Sequence, residues 1–286
     1  MSKASMLRAQ ITSIEELHGV VAAMRSLAAA QVQNADRALP GIRRYAQIVG
    51  AAVSRARVLV ADPRPTDERS VLPPRLLVVC AERGFVGAFN ERLIERAAAE
   101  PDAAHGRLWI VGARGIQIAR ARGLAVEWTA SMPSHAAGVF EKAREVAAEL
   151  EHRVARGELD RITVLGAMRA QGAGPSIERY QLLPLPLATA STETKPLEPP
   201  VHHLPPLELM ARVIGEYVAG ELVRVLMESF GSENAARMQA MEAARHHIDD
   251  KLRTMRDEAN RIRQDEITSE LLDVVIGSEA VQRRDQ

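Results

Sequence analysis

The sequence predicts an α/β protein with coiled-coil arms: long N- and C-terminal helices pair as an antiparallel coiled coil, with an α/β domain inserted between them. Three observations carry that prediction. Apolar residues recur at helical spacing over long stretches at both ends. The middle alternates short β-type runs with helical ones. Prolines cluster at the two borders. A length of 286 residues, 47% of them hydrophobic and 26% charged, suits a globular chain of roughly two domains.

The first arm covers residues 1–60. Leu7, Ile11, Ile14, Leu17, Val21, Met24 and Ala28 step by three or four, a narrow seam of coiled-coil type. A helix of about 55 residues would be ~80 Å long, far more than a domain of this size needs. Pro40-Gly41 is expected to kink or break it.

The α/β domain is expected over 75–184, entered through Asp62-Pro-Arg-Pro65 and Pro73-Pro74. Arg75 to Ala81 reads as a buried strand, followed by a glycine-containing loop and a helix from about Asn90 to Glu100. Leu108 to Val111 is the next strand, with Gly112-Ala-Arg-Gly115 opening a short helix. A third strand lies within Leu124 to Thr129, a helix within Gly138 to Arg156, and final strands at Ile162 to Leu165 and Ile177 to Leu183. Strand and helix in alternation imply a mainly parallel, Rossmann-like sheet covered by helices. Residues 185–206 form a proline-rich linker.

The second arm spans 207–286. Met241, Ala244, Ile248, Leu252, Met255, Ala259 and Ile262 keep the seam, flanked by charged residues from Arg245 to Arg263. Its natural partner is the helix at the other end of the chain.

Composition narrows the function. With 37 basic and 37 acidic side chains the net charge is zero, which argues against attachment to nucleic acid by charge alone. Aromatic residues make up 3%, leaving few platforms for stacking on bases. The single cysteine, Cys80, forms no internal disulfide and no cysteine cluster for a metal. No apolar run approaches the ~18–20 residues of a membrane span, so no direct membrane insertion is expected.

Candidate chemistry is thin. Cys80 to Asn90 leaves a strand and opens a helix, where phosphates often sit, yet only Gly84 and Gly87 are present and neither dinucleotide nor P-loop spacing is met. Glycines required by a tight turn and close packing are the plainer reading, here and at Gly112 to Gly115. His246-His247 beside Asp249 and Asp250 read as a solvated helix face, since adjacent side chains point about 100° apart. Cys80 reads as a core residue. No catalytic, cofactor or metal site is expected.

Longer motifs point further. Met227-Glu-Ser-Phe-Gly-Ser-Glu-Asn-Ala-Ala-Arg-Met-Gln-Ala-Met241 matches a pattern S-E-x-x-A-R-M-x-A-M, and Asn260-Arg-Ile-Arg-Gln-Asp-Glu-Ile-Thr-Ser-Glu270 matches N-x-x-R-Q-x-x-I-T-x-E. Leu7 to Ile14, Ala23-Met24-Arg25, Glu82 to Asn90 and Ile177 to Pro184 agree in order and position. On these residues the chain resembles the gamma subunit of F-type ATP synthase over nearly its whole length.

The resemblance implies a non-catalytic central-stalk rotor that couples ion-driven rotation to conformational change at the catalytic sites of an alpha/beta ring, for ATP synthesis or hydrolysis. Its implied partners are the alpha and beta subunits, the epsilon subunit and the membrane c-ring. Its implied place is the cytoplasmic face of the bacterial plasma membrane, held there through the complex. Carried over by motif, Arg263, Gln264, Thr268 and Glu270 would meet the catch loops of the ring, and Met24 and Arg25 would face the acidic lever loop of beta. Ala30 to Asp36 stands where the family usually has a basic stretch, and Arg245-His246-His247 where smaller polar residues are usual. Such departures suggest a divergent paralogue serving a second F-type ATPase. A different reading is a stand-alone α/β nucleotide-binding protein or enzyme whose helices are dimerisation arms.

Overall fold

The computed structural model describes residues 3–60, 72–101, 107–169, 175–185 and 201–282. The Asp62 to Pro65 border and most of the 185–206 linker therefore lie outside the described residues. Eleven elements follow in order: α1 (Lys3–Ala56), a 3₁₀ turn (Arg57–Leu59), β1 (Arg75–Val79), α2 (Phe89–Ala98), β2 (Leu108–Val111), α3 (Ala113–Ala121), β3 (Val126–Ala130), α4 (Gly138–Ala155), β4 (Ile162–Arg169), β5 (Pro175–Leu183) and α5 (Pro206–Gln282). They form two compact units, residues 1–27 with 239–286, and residues 28–238.

In the second unit five strands lie in the order β3-β2-β1-β4-β5. Pairing is parallel from β3 through β4 and antiparallel between β4 and β5. Side chains alternate across the sheet, so β1 feeds two cores. Leu77 and Val79 join Trp109, Val111, Ile162 and Val164 on one face, packed against Val139, Val146 and Leu150 of α4 and Leu222, Val225 and Phe230 of α5. Leu76 and Val78 join Leu108, Ile110 and Leu165 on the other, packed against Leu93, Ile94 and Ala97 of α2 and Ala119 of α3. Helices on both faces of a mostly parallel sheet make a doubly wound domain. This unit reaches beyond 75–184, because Ala35 and Ile42 of α1 and Val218 to Phe230 of α5 share the first core.

One end of the sheet carries a compact polar cluster. Trp109 and Trp128 pack with centroids 5.0 Å apart and ring planes tilted by 39°, and the Arg153 guanidinium lies 5.6 Å above the Trp109 ring. Glu127 accepts from Arg75 Nε (3.3 Å), Trp109 Nε1 (3.2 Å) and Arg153 Nη1 (3.1 Å). Burial raises the affinity of this carboxyl for its proton, but these donors and the two guanidinium charges outweigh it and hold Glu127 below the ordinary carboxylate range.

The break that was one of two expected outcomes at Pro40 is absent. The helix neither stops nor breaks there; α1 is a single element with Pro40 inside it. Pro40 and Gly41 are exposed, while Ala35, Ile42 and Ala46 are buried on the opposite side. Tertiary burial of that face holds the helix together, and Asp36, whose carbonyl proline leaves without an amide partner, is exposed. The predicted seam of α1 also shifts locally. Leu17 is half exposed, and the neighbouring His18 takes the inward position.

Because Pro40 is exposed, Pro40→Ala is expected to restore a helical hydrogen bond and stabilise the chain by about 2 kcal/mol. Far-UV circular dichroism in a denaturant titration measures this, and an unchanged midpoint would contradict the account.

Candidate rotor contacts and the buried segment of the C-terminal helix

In the first unit α1 and α5 run antiparallel, linked by side chains whose numbers rise on one helix and fall on the other. Glu15 meets Arg256 at 2.6 Å, His18 meets Asp249 at 3.3 Å, and Arg25 meets Glu242 at 3.3 Å. His246 reaches Glu242 at 3.5 Å, and Arg245 reaches Asp249 at 3.8 Å. His18 and His246 thus each lie beside a carboxylate, one across the helix pair and one along α5. Partly exposed ion pairs contribute little each, but their spacing fixes the register of the two helices.

The six residues carried over by motif fall into two groups. Met24 and Arg25 are half-buried on α1, with Arg25 engaged by Glu242. Arg263, Gln264 and Thr268 are exposed on α5, and the Thr268 hydroxyl donates to the Gln264 carbonyl at 2.8 Å, leaving the Gln264 amide free of that bond. The side chain of Glu270 lies outside the described residues. From Arg263 to Ser269 every residue of α5 is exposed, Ile267 included. That stretch presents polar and apolar groups on all sides.

Farther back, α5 changes character. Residues 225–235 are buried on every face, although they include Glu228, Ser229, Ser232, Glu233 and Asn234. Each polar side chain is matched. Glu228 pairs with Arg43 of α1 at 3.0 Å and with Arg224 at 3.2 Å. Ser229 and Ser232 bond the backbone of Ala167. Asn234 donates to the Phe230 carbonyl at 2.9 Å. Glu233 pairs with Arg237 at 2.6 Å, and Arg237 extends to within 3.5 Å of the Arg83 and Gly84 carbonyls. Sequence reasoning read this run as a family motif and missed its burial. The available signal was five small polar or acidic residues within an otherwise apolar run.

The loop after β1 is closed from within. Asn90 Oδ1 accepts from the Ala81 amide at 2.8 Å. Glu82 Oε2 accepts from the Ala113 amide at the start of α3 (3.1 Å) and from the Met132 amide after β3 (2.7 Å). A protein carboxylate therefore takes the N-terminus of α3, where a phosphate at Gly112 to Gly115 would sit. Gly84 and Gly87 of this loop face open space, and Gly87, with φ of 58°, answers to a turn, whereas the glycines after β2 answer to packing. Gly112 has φ of 108°, and a Cβ on it would lie 2.3 Å from the Cys80 carbonyl; one on Gly115 would lie 2.3 Å from the Cys80 Cβ. Cys80 is buried, and burial first, then the charges of Glu233 and Glu91, push its thiol up and away from nucleophilic use.

The architecture is an α/β domain carried between two long helices that pair antiparallel, and comparison with known proteins gives that class an identity. The family model described as ATP synthase matches residues 3–281. The ATP synthase gamma chain of Anaeromyxobacter dehalogenans (strain 2CP-C) is 29% identical over 289 residues, covering 96% of this chain and 98% of that relative. Among solved structures, a chain of the Euglena gracilis mitochondrial ATP synthase, OSCP/F1/c-ring in rotational state 3, has a TM-score of 0.66 at 18% identity, over 99% of this chain and 96% of that one. A chain from the rotor of the same enzyme has a TM-score of 0.60 at 16% identity, over 92% and 98%. The chain belongs to the gamma family of ATP synthase.

Burial, reinforced by the charge of Glu82 and opposed by Arg237 and Arg83, pushes the Glu233 carboxyl up to about 6. A carboxyl raised in the folded state binds more protons there than in the unfolded chain. Its contribution is therefore greatest at acid pH and is lost as pH rises through about 6. Relative to Glu233→Gln, the wild type is expected to gain about 2 kcal/mol of unfolding free energy between pH 7 and pH 4.5. Denaturant titrations of both proteins across that range check it, and a constant difference would refute it.

Proposed function

We infer that the chain is the central-stalk rotor subunit of a rotary F-type ATP synthase. The family match across both long helices and the domain between them carries this reading. Ion flow through the membrane ring turns the stalk, and the turning stalk changes the conformation of catalytic sites in a surrounding alpha/beta ring. An asymmetric shaft does this because each orientation binds the open and closed states of a site with unequal free energy; equal binding would shift nothing.

The chain itself is non-catalytic in this reading. Residues 1–60 and 207–286 form the helical arms, 75–184 the inserted domain, and 185–206 the linker. The alpha and beta subunits, the epsilon subunit and the c-ring are its partners, and the related Euglena chain was solved in a complex described as OSCP/F1/c-ring. Among the described residues no helix is long and apolar enough to cross a membrane. In this reading the chain is a peripheral subunit held through the complex, at the cytoplasmic face of a bacterial plasma membrane.

Met24, Arg25, Arg263, Gln264, Thr268 and Glu270 are the residues through which it would touch the ring. Exposure of Arg263, Gln264 and Thr268 supports that role, since an inward-facing residue could reach no partner. Arg25 would act from a helix pair already fixed by its bridge to Glu242. The departures at Ala30 to Asp36 and Arg245 to His247 support a divergent rotor in a second ATPase.

Affinity purification of the tagged chain from its host's membranes is expected to recover alpha, beta and epsilon subunits. Recovery of the chain alone would return the function to question while leaving the fold intact. In a reconstituted complex, Gln264→Ala with Thr268→Ala is expected to lower ATP-driven ion pumping while leaving helix content and the thermal midpoint unchanged, because both side chains are exposed. Undiminished pumping would sink the contact assignment.

A further inference from the structure

β4 outruns its neighbour. Its last residue paired with β1 is Leu165, yet the strand continues to Arg169, supported on the other side by β5. Within that extension the Ala167 amide donates to Ser229 Oγ at 3.2 Å, and the Ala167 carbonyl accepts from the Ser232 hydroxyl at 3.0 Å. In a strand the amide and carbonyl of one residue point to the same side. Two hydroxyls three residues apart on α5, hence on one helix face, thus occupy the place of a missing strand.

The contact is dry and close. Ser229 and Ser232 are 2% and 0% exposed, so water does not replace either bond. A Cβ on the adjacent Gly166 would lie 3.0 Å from Ser229 Oγ and 3.2 Å from Val225 Cγ1, so the helix approaches the strand where no side chain intervenes.

We propose that Ser229 and Ser232 are positioning residues that lock α5 to the open edge of β4, so that torque on the α/β body reaches the helix without slip. The proposal rests on the rotor reading. Apolar packing alone is non-directional and resists small rotations weakly. Hydrogen bonds tolerate little misalignment, and a shift of α5 by one residue, about 100° and 1.5 Å, would break both at once. Two backbone groups and two hydroxyls would then be buried without partners.

The test uses the full chain in its reconstituted complex. Ser229→Ala with Ser232→Ala is expected to assemble and hydrolyse ATP, to lose ion pumping per ATP hydrolysed, and to show about tenfold faster hydrogen exchange at the Ala167 amide. A second variant replaces the lock covalently. Gly166→Cys with Ser229→Cys matches the roughly 3.0 Å between the Cβ of one cysteine and the Sγ of its partner in a disulfide, and the oxidised form is expected to pump as wild type does. Wild-type pumping and exchange in the double alanine variant would overturn the proposal. Arrested pumping in the oxidised variant would do so too, because it would mean that α5 moves on β4 during turnover. If the alanine variant fails to assemble, the disulfide variant decides. Failure of the wild-type chain to assemble with catalytic subunits would instead overturn the rotor reading, and exchange at Ala167 in the free chain would still decide whether the lock exists.

Discussion

Most of this architecture follows from one constraint: α5 is buried on every face between residues 225 and 235 while carrying polar groups there. A helix in that position has no water to fall back on, so each carboxylate and hydroxyl requires a protein partner at hydrogen-bond distance. Those partners come from different elements. Arg43 is supplied by α1, the Ala167 backbone by β4, and the Arg83 and Gly84 carbonyls face Arg237 from the loop after β1. Satisfying one helix therefore organises everything packed around it. Purely apolar contacts would have filled the same space without dictating which rotation of the helix is correct.

The same constraint explains where reading the sequence succeeded and where it fell short. The long helices were legible because a three-four step of apolar residues over many turns has no other common cause, and the α/β order was legible from Leu76 to Val79 and Leu108 to Val111, apolar runs bounded by turn residues. Pro40 misled because proline's cost is local, whereas the burial of Ala35, Ile42 and Ala46 that offsets it is tertiary. Leu17 misled by one position: hydrophobicity favoured it for the seam, but the helical step favoured His18, which Asp249 accepts there. β4 runs four residues past the predicted Leu165 because its last stretch is completed by β5 on one side and by Ser229 of α5, 62 residues on from Ala167, on the other.

Of the candidate contacts, the motif gave the names and the structure gave the settings. Arg263, Gln264 and Thr268 are exposed on their helix, whereas Arg25 is already bridged to Glu242. Glu82 could be read from the sequence only as part of a loop. Its role, closing the ends of β2 and β3 by accepting from Ala113 and Met132, depends on backbone amides 31 and 50 residues away.

Both tryptophans of the chain sit in one tilted pair at a single end of the sheet, with Arg153 over one of them. Intrinsic fluorescence is consequently a local reporter. It registers the loosening of β2 against β3 and is silent while either long helix frays, so an optical melt followed at the tryptophan band describes the sheet and not the shaft. Any study of how the helices respond to a partner needs a probe placed on them.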